Sequence, residues 1–132
     1  MANDLEQAIV AKLASVSAIT ALVGDRIYAK ELEQEVDYPA LNYFRVDTPR
    51  IHALDGPAGL AYPRIQIGIF SDNFADLPIV SKQLRLALDG FSGVVDGFTI
   101  GAVELADERD EPFEPETKTF QRILDFIVWH NE

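Results

Sequence analysis

The segment that most narrows the fold is the last one. Over Lys118–His130, Phe120, Arg122, Leu124, Phe126 and Val128 alternate with Gln121, Ile123, Asp125, Ile127 and Trp129. Successive side chains of a strand point to opposite faces, so the second half of this segment is apolar on both. Such a strand needs cover on both sides and is expected at the centre of a sheet. Arg64–Phe70 alternates more simply and puts Ile65, Ile67 and Ile69 on one face.

The other elements follow from local signals. Asn3 or Asp4 caps a first helix, with Glu6 three residues after Asn3 as in a capping box. Leu5, Ala8, Ile9, Leu13 and Val16 then recur at helical spacing. Ser17 caps a short turn carrying Ile19 and Leu22, which Gly24 ends in a left-handed conformation. Arg26–Tyr28 and Ala40–Thr48 read as strands, and 31–37 as a solvated loop. Leu54–Gly59 reads as a turn, with His52 in the loop before it. Asp76 and Pro78 open a second helix through Leu88, with Gly90 past its end. Its buried stripe is Ile79 or Val80, Gln83 or Leu84, and Ala87 or Leu88. After a Gly93–Gly97 turn region, Phe98–Ala106 is a strand and 107–117 a long acidic loop. The expected architecture is α+β: a single domain over residues 1–132, with a largely antiparallel sheet packed by two helices.

Length supports that reading, because a chain of 132 residues buries about two-thirds of its unfolded surface. No stretch approaches the roughly 20 apolar residues that cross a bilayer, and no membrane partner is expected. Met1–Glu6 carries early acids and no basic region, unlike a signal peptide. The absence of cysteine excludes disulfides and thiolate chemistry and fits assembly in a reducing cytoplasm.

The net charge of −11 opposes sequence-independent binding to duplex DNA, which depends on Lys and Arg. The excess sits in two places. Residues 104–116 hold seven acids against Arg109, and residues 31–37 hold four with no base. Together these segments account for −10 of the −11.

Few residues form a catalytic pattern. His52 and His130 stand beside no nucleophile motif, and His130 is expected to be solvated near a strand end. Asp107-Glu108-Arg109-Asp110 lacks EF-hand spacing, so the acidic run is not a recognisable cation loop. Asp55-Gly56-Pro57-Ala58-Gly59 has neither P-loop nor dinucleotide-binding spacing. Tyr28, Tyr38, Tyr43 and Phe44 read as core or partly buried sheet residues rather than a base-stacking platform. No catalytic residue, cofactor site or metal site is assigned. Long loops in small domains often meet partners. Phe113, held between Pro112 and Pro115 among acids, has the character of a docking anchor, because prolines reduce the entropy lost on binding.

Four segments resemble a known family in order and spacing. They are Leu22–Tyr28 after an N-terminal helix; Leu54–Ala61 followed by Arg64–Ile67; Asp107–Asp110 with Phe113–Thr117; and Arg122–Trp129. Together they are similar to the tail-completion (tail-terminator, head–tail joining) proteins of long-tailed bacteriophages and related gene-transfer particles. Pro78 departs from the family, which has helix formers there, and bears on the first turn of that helix only.

The resemblance implies a structural virion protein at the head–tail junction, assembled in the bacterial host cytoplasm, with no catalysis and no cofactor. Such proteins form a ring, typically a homo-hexamer, on the head-proximal end of the tail tube. The ring ends polymerisation of the tube protein, joins the stopper or adaptor of the head connector, and leaves a channel through which DNA passes without specific binding.

Within that frame, Glu31, Glu33, Glu35, Asp107, Glu108, Arg109, Asp110, Phe113, Glu114 and Glu116 are the interface or channel candidates. At least one of the two acidic segments is expected to face the channel or an adjacent ring, where carboxylates would repel phosphate. Arg109 is expected to pair with carboxylates within the chain or across a subunit boundary. Three alternatives remain. One is a stopper or adaptor ring nearer the capsid, and another is a small acidic cytoplasmic regulator. The most distant is a metal-dependent hydrolase using the 104–116 carboxylates.

Overall fold

The two-faced final segment does form the middle of the sheet. A computed structural model describes residues 3–132; Met1 and Ala2, which open the non-basic N-terminus, lie outside the described residues. In chain order the elements are helices α1 (Leu5–Ala14) and α2 (Ser17–Val23) and strands β1 (Ile27–Ala29), β2 (Ala40–Asp47), β3 (Arg50–Ala53), β4 (Gly56–Ala61) and β5 (Arg64–Ser71). Helix α3 (Asp76–Leu88) and strands β6 (Gly93–Val95), β7 (Phe98–Ile100), β8 (Ala102–Glu114) and β9 (Thr119–Asn131) follow.

Strand β9 runs antiparallel to β5 on one edge and to β8 on the other. Beyond β5 lie β2, antiparallel, and then β1, which is parallel to β2. Strands β3 and β4 form a hairpin tied to β9 through Leu60 opposite Asn131 and Ala61 opposite His130. Strands β6 and β7 pair separately. The sheet is therefore largely antiparallel, as expected for an α+β chain.

Period-two alternation decides what faces the helices. Ile65, Ile67 and Ile69 of β5 lie beside Leu124 and Phe126 of β9 and Leu41 of β2. They share one core with Leu5, Ile9 and Leu13 of α1, Ile19 and Val23 of α2, and Leu77, Val80, Leu84 and Leu88 of α3. Burying each such side chain is worth about 1.5–3 kcal/mol. A one-residue slip would turn the whole isoleucine row outward, which pins the register. On α3 the buried stripe is Val80, Leu84 and Leu88, and Ile79 is exposed. Pro78 is the third residue of α3, where the missing N–H has no intrahelical partner to lose, and the first turn is intact.

Several local expectations are corrected. Of the two expected caps of α1, Asp4 holds the position and accepts the Gln7 N–H at 2.8 Å, but the reciprocal bond of the box comes from Gln7 Oε1, which accepts the Asn3 N–H at 2.7 Å, and not from Glu6. That frees Glu6 to pair with Arg45 on β2. Ser17 begins a seven-residue helix, a third one, rather than capping a turn; Val16 holds the cap position. Only Leu54 and Asp55 of the Leu54–Gly59 segment make the turn, since Gly56–Ala61 is strand β4, and His52 is on strand β3. Gly93–Gly97 belongs to the β6–β7 hairpin, with Asp96 and Gly97 at positive φ in its turn. His130 is buried rather than solvated, with its ring 5.3 Å from that of Phe98.

The largest correction concerns 107–117. Residues up to Glu114 continue strand β8, and 115–118 make the turn into β9. Acids are poor strand formers in general, but β8 is an edge strand, where charged side chains face water and deter unwanted pairing. Its partner supplies the counter-charge, since Asp110 stands opposite Arg122.

Candidate functional site

The sheet face turned away from the helices carries a cleft of about 820 Å³. One wall is the 30–38 loop, the other the tip of the β8–β9 hairpin, and Asn42, Phe70 and Gln121 lie at its floor. The loop turns at Lys30 and Glu35, both at positive φ, and returns to β2 through a cis Tyr38–Pro39 bond. Asn42 holds it down. Its Nδ2 donates to the Lys30 carbonyl at 2.6 Å, and its Oδ1 accepts the Gly68 N–H at 3.0 Å. Gly68 is required there, because a Cβ would come 2.3 Å from that oxygen.

The opposite wall is stiffened by its own contacts. Glu116 N–H donates to the Glu114 carboxylate at 3.1 Å, and the Thr117 and Thr119 hydroxyls lie 2.7 Å apart. Phe113 packs its ring 4.7 Å from Phe120, which meets Phe74 edge-on at 5.5 Å. Phe113 is thus braced from behind while it lines the cleft half-exposed.

The cleft therefore joins the two acidic segments. Glu31, Glu33, Glu35, Glu111 and Glu114 stand around apolar Leu32, Val36, Phe70 and Phe113, with Lys30 the one lysine on its lining. Five carboxylates around these apolar side chains suit a cationic, partly apolar segment and repel phosphate. Among the described residues no three His, Cys, Asp or Glu side chains stand together as a metal-holding group.

The remaining predicted residues are elsewhere. Glu108 and Asp110 point toward the helix side. Glu108 accepts from Ser81 Oγ at 2.6 Å and from Arg85 at 3.0 and 3.1 Å. Asp110 accepts from Arg122 at 2.6 and 3.2 Å, which holds that guanidinium's pKa above its ordinary value. Arg109 lies on the other face and pairs within the chain, 2.9 Å from Asp125 and 2.8 Å from Asp107. Its pKa is raised by the bonds to Asp125 and Asp107. Asp125 also takes Arg64 at 3.1 Å. Arg109 and Asp110 thus tie β8 to β9, Asp107 braces Arg109, Glu108 ties β8 to α3, and Glu116 sits in the β8–β9 turn.

Sequence reasoning missed Glu111, Leu32 and Val36 as cleft residues, and Arg64, Arg85 and Arg122 as partners of the acids. Arg122 had a legible signal: it is twelve residues after Asp110, a spacing that a hairpin turns into a cross-strand pair.

The sequence profile of the family described as "Tail completion protein gp17" matches residues 7–131. No curated protein sequence matches the chain. Among solved structures, a chain of the "Virion of native gene transfer agent (GTA) particle" superposes with a TM-score of 0.80, covering 97% of this chain and 95% of that one. Sequence identity is 15%, so this likeness is one of fold.

Proposed function

The chain belongs to the tail completion protein gp17 family, and on that premise we propose that it is a structural protein of a phage-type virion tail, acting at the head–tail junction. Copies form a ring, of six subunits, at the head-proximal end of the tail tube. The ring stops addition of tube protein, docks the stopper or adaptor of the head connector, and leaves a channel for DNA. No catalytic step and no cofactor is assigned to it.

The observation that carries this reading is the family match from residue 7 to residue 131, nearly the whole chain. The acidic cleft gives the ring a surface for a neighbour. Glu31, Glu33 and Glu35 act together with Glu111, Phe113 and Glu114, facing an adjacent ring or the channel. Supporting this, the fold spends Asp107, Glu108 and Asp110 on internal ion pairs but leaves the cleft open.

Deleting the gene in a strain that produces the particle tests the function. Electron microscopy of the lysate is expected to show filled heads lying apart from tails of irregular length. Uniform tails left unattached would point to a stopper or adaptor ring instead. Joined, infectious particles would overturn the tail role and favour an acidic cytoplasmic regulator.

A further inference from the structure

Among the exposed apolar features outside the cleft are a hairpin and a groove. The first is the β3–β4 hairpin. Among the described residues β3 pairs with β4 alone, β4 meets β9 at Leu60 and Ala61, and the Gly59 carbonyl accepts the Glu132 N–H at 2.8 Å, so the hairpin from Ile51 to Ala58 stands off the sheet. Isolated two-stranded hairpins are marginal in water, yet this one is clamped at its base. Arg50 donates to both Glu132 carboxylate oxygens at 2.7 and 3.0 Å, and Tyr62 stacks on Trp129 at 4.6 Å. Its tip, Leu54–Asp55, carries a fully exposed leucine, with Ile51 exposed behind it. Arg50 is paired with Glu132 at the base, so the projecting part carries a single charge, that of Asp55, on a chain of −11.

The second is a groove at the C-terminal ends of α1 and α3. Two adjoining hollows of about 420 and 520 Å³ share Lys12 and Phe91. Leu86 and Val94 on their rims are 69% and 67% exposed. Lys12 Nζ sits 4.3 Å from the centre of the Phe91 ring. Of the groove's carboxylates, Asp89 accepts the Leu105 N–H at 3.0 Å and Asp96 lines the hollow beside Val95; Lys12, which lines both hollows, is the seat for an incoming carboxylate.

We propose that the β3–β4 arm of one copy docks in this groove of the next copy, with Leu54 against Leu86, Phe91 and Val94, and Asp55 on Lys12. The inference rests on the ring reading above. A closed ring needs two different, mutually complementary patches on each subunit, and the arm and the groove are such a pair. Subunits that each carry −11 repel one another, which favours contact through an apolar arm that bears only one charge. The lone carboxylate at its tip matches the lone lysine of the groove.

The test uses the full chain in assembling particles. Asp55→Lys and Lys12→Asp are each expected to cut the yield of joined particles about tenfold, and the double reversal to restore it. Asp55 and Lys12 are not core residues, and equal melting temperatures of the purified variants check that folding is unchanged. A photo-crosslinking residue at position 54 is expected to capture residues 83–96 of a second copy. Capture of the tube or connector protein instead, or single reversals that assemble normally, would overturn the arm contact and leave the ring standing. Aldehyde crosslinking of unaltered particles that yields no multimer of this chain would sink the ring itself.

Discussion

Asn42 Oδ1 accepts the Gly68 N–H at 3.0 Å in the space that a side chain on residue 68 would need. Through its amide nitrogen the same Asn42 holds the Lys30 carbonyl at 2.6 Å. One buried side chain therefore ties the acidic 30–38 loop to the middle of the sheet.

Gly68→Ala is expected to lower stability by about 1–3 kcal/mol. A Cβ at 2.3 Å must push Asn42 aside and break both of its bonds. Urea unfolding measures the loss, and hydrogen exchange should show faster amides in 31–36. Unchanged exchange in that loop would mean Asn42 is not its tether.

Asp125 is 5% exposed and receives both Arg64 and Arg109 on one oxygen. Asp125→Ala is expected to cost about 2 kcal/mol, below the range for fully buried pairs because both arginines keep contact with water. Arg109→Ala should cost less, since Arg64 still compensates the carboxylate. Denaturation of the two variants side by side checks the order, and an equal loss would refute it.

Arg122 stands between Asp110 at 2.6 Å and Glu108 at 3.8 Å, with its guanidinium 5.9 Å from the Phe74 ring centre. Replacing it with Gln leaves Asp110 without its cation beside Glu108, which keeps Arg85. A loss of about 1–2 kcal/mol is expected. Added salt should stabilise this variant by screening the repulsion. A melting temperature that fails to rise with salt would speak against the ion-pair role.

The Arg50 bond holds the Glu132 carboxyl below the usual carboxylate range. A carboxylate with a lowered folded-state pKa contributes stability that is present above its ordinary pKa and disappears as pH falls through the folded value. Amide exchange in the β3–β4 arm is therefore expected to quicken in that acid window, beyond the exchange chemistry itself. In Glu132→Gln the arm should exchange fast at neutral pH too. An arm equally protected in both proteins would show that the clamp lies elsewhere, at Tyr62 and Trp129.

Much of the fold was legible because periodicity is written in consecutive residues. Ile65, Ile67 and Ile69, the two apolar faces of β9 and the span of α3 all follow from spacing alone. The acids of β8 were misread for a physical reason: Asp and Glu oppose strand formation unless charge and an edge position compensate, and both come from outside the segment. His130 misled in the same way, since a chain-terminal position says nothing of the Phe98 ring that covers it.

The sequence by itself determined the α+β class, the central strand, the family resemblance and the two concentrations of negative charge. Only the tertiary structure decided which acids are spent within the fold and which line an open cleft. Glu108 and Asp110 meet Arg85 and Arg122, whereas Glu31, Glu33 and Glu35 face Glu111 and Glu114 across an open cleft. Alternation is local and survives in the order of residues. The neighbours of a charge depend on which strands pair and in what register, and that is settled by burial of the isoleucine row far from the charges themselves.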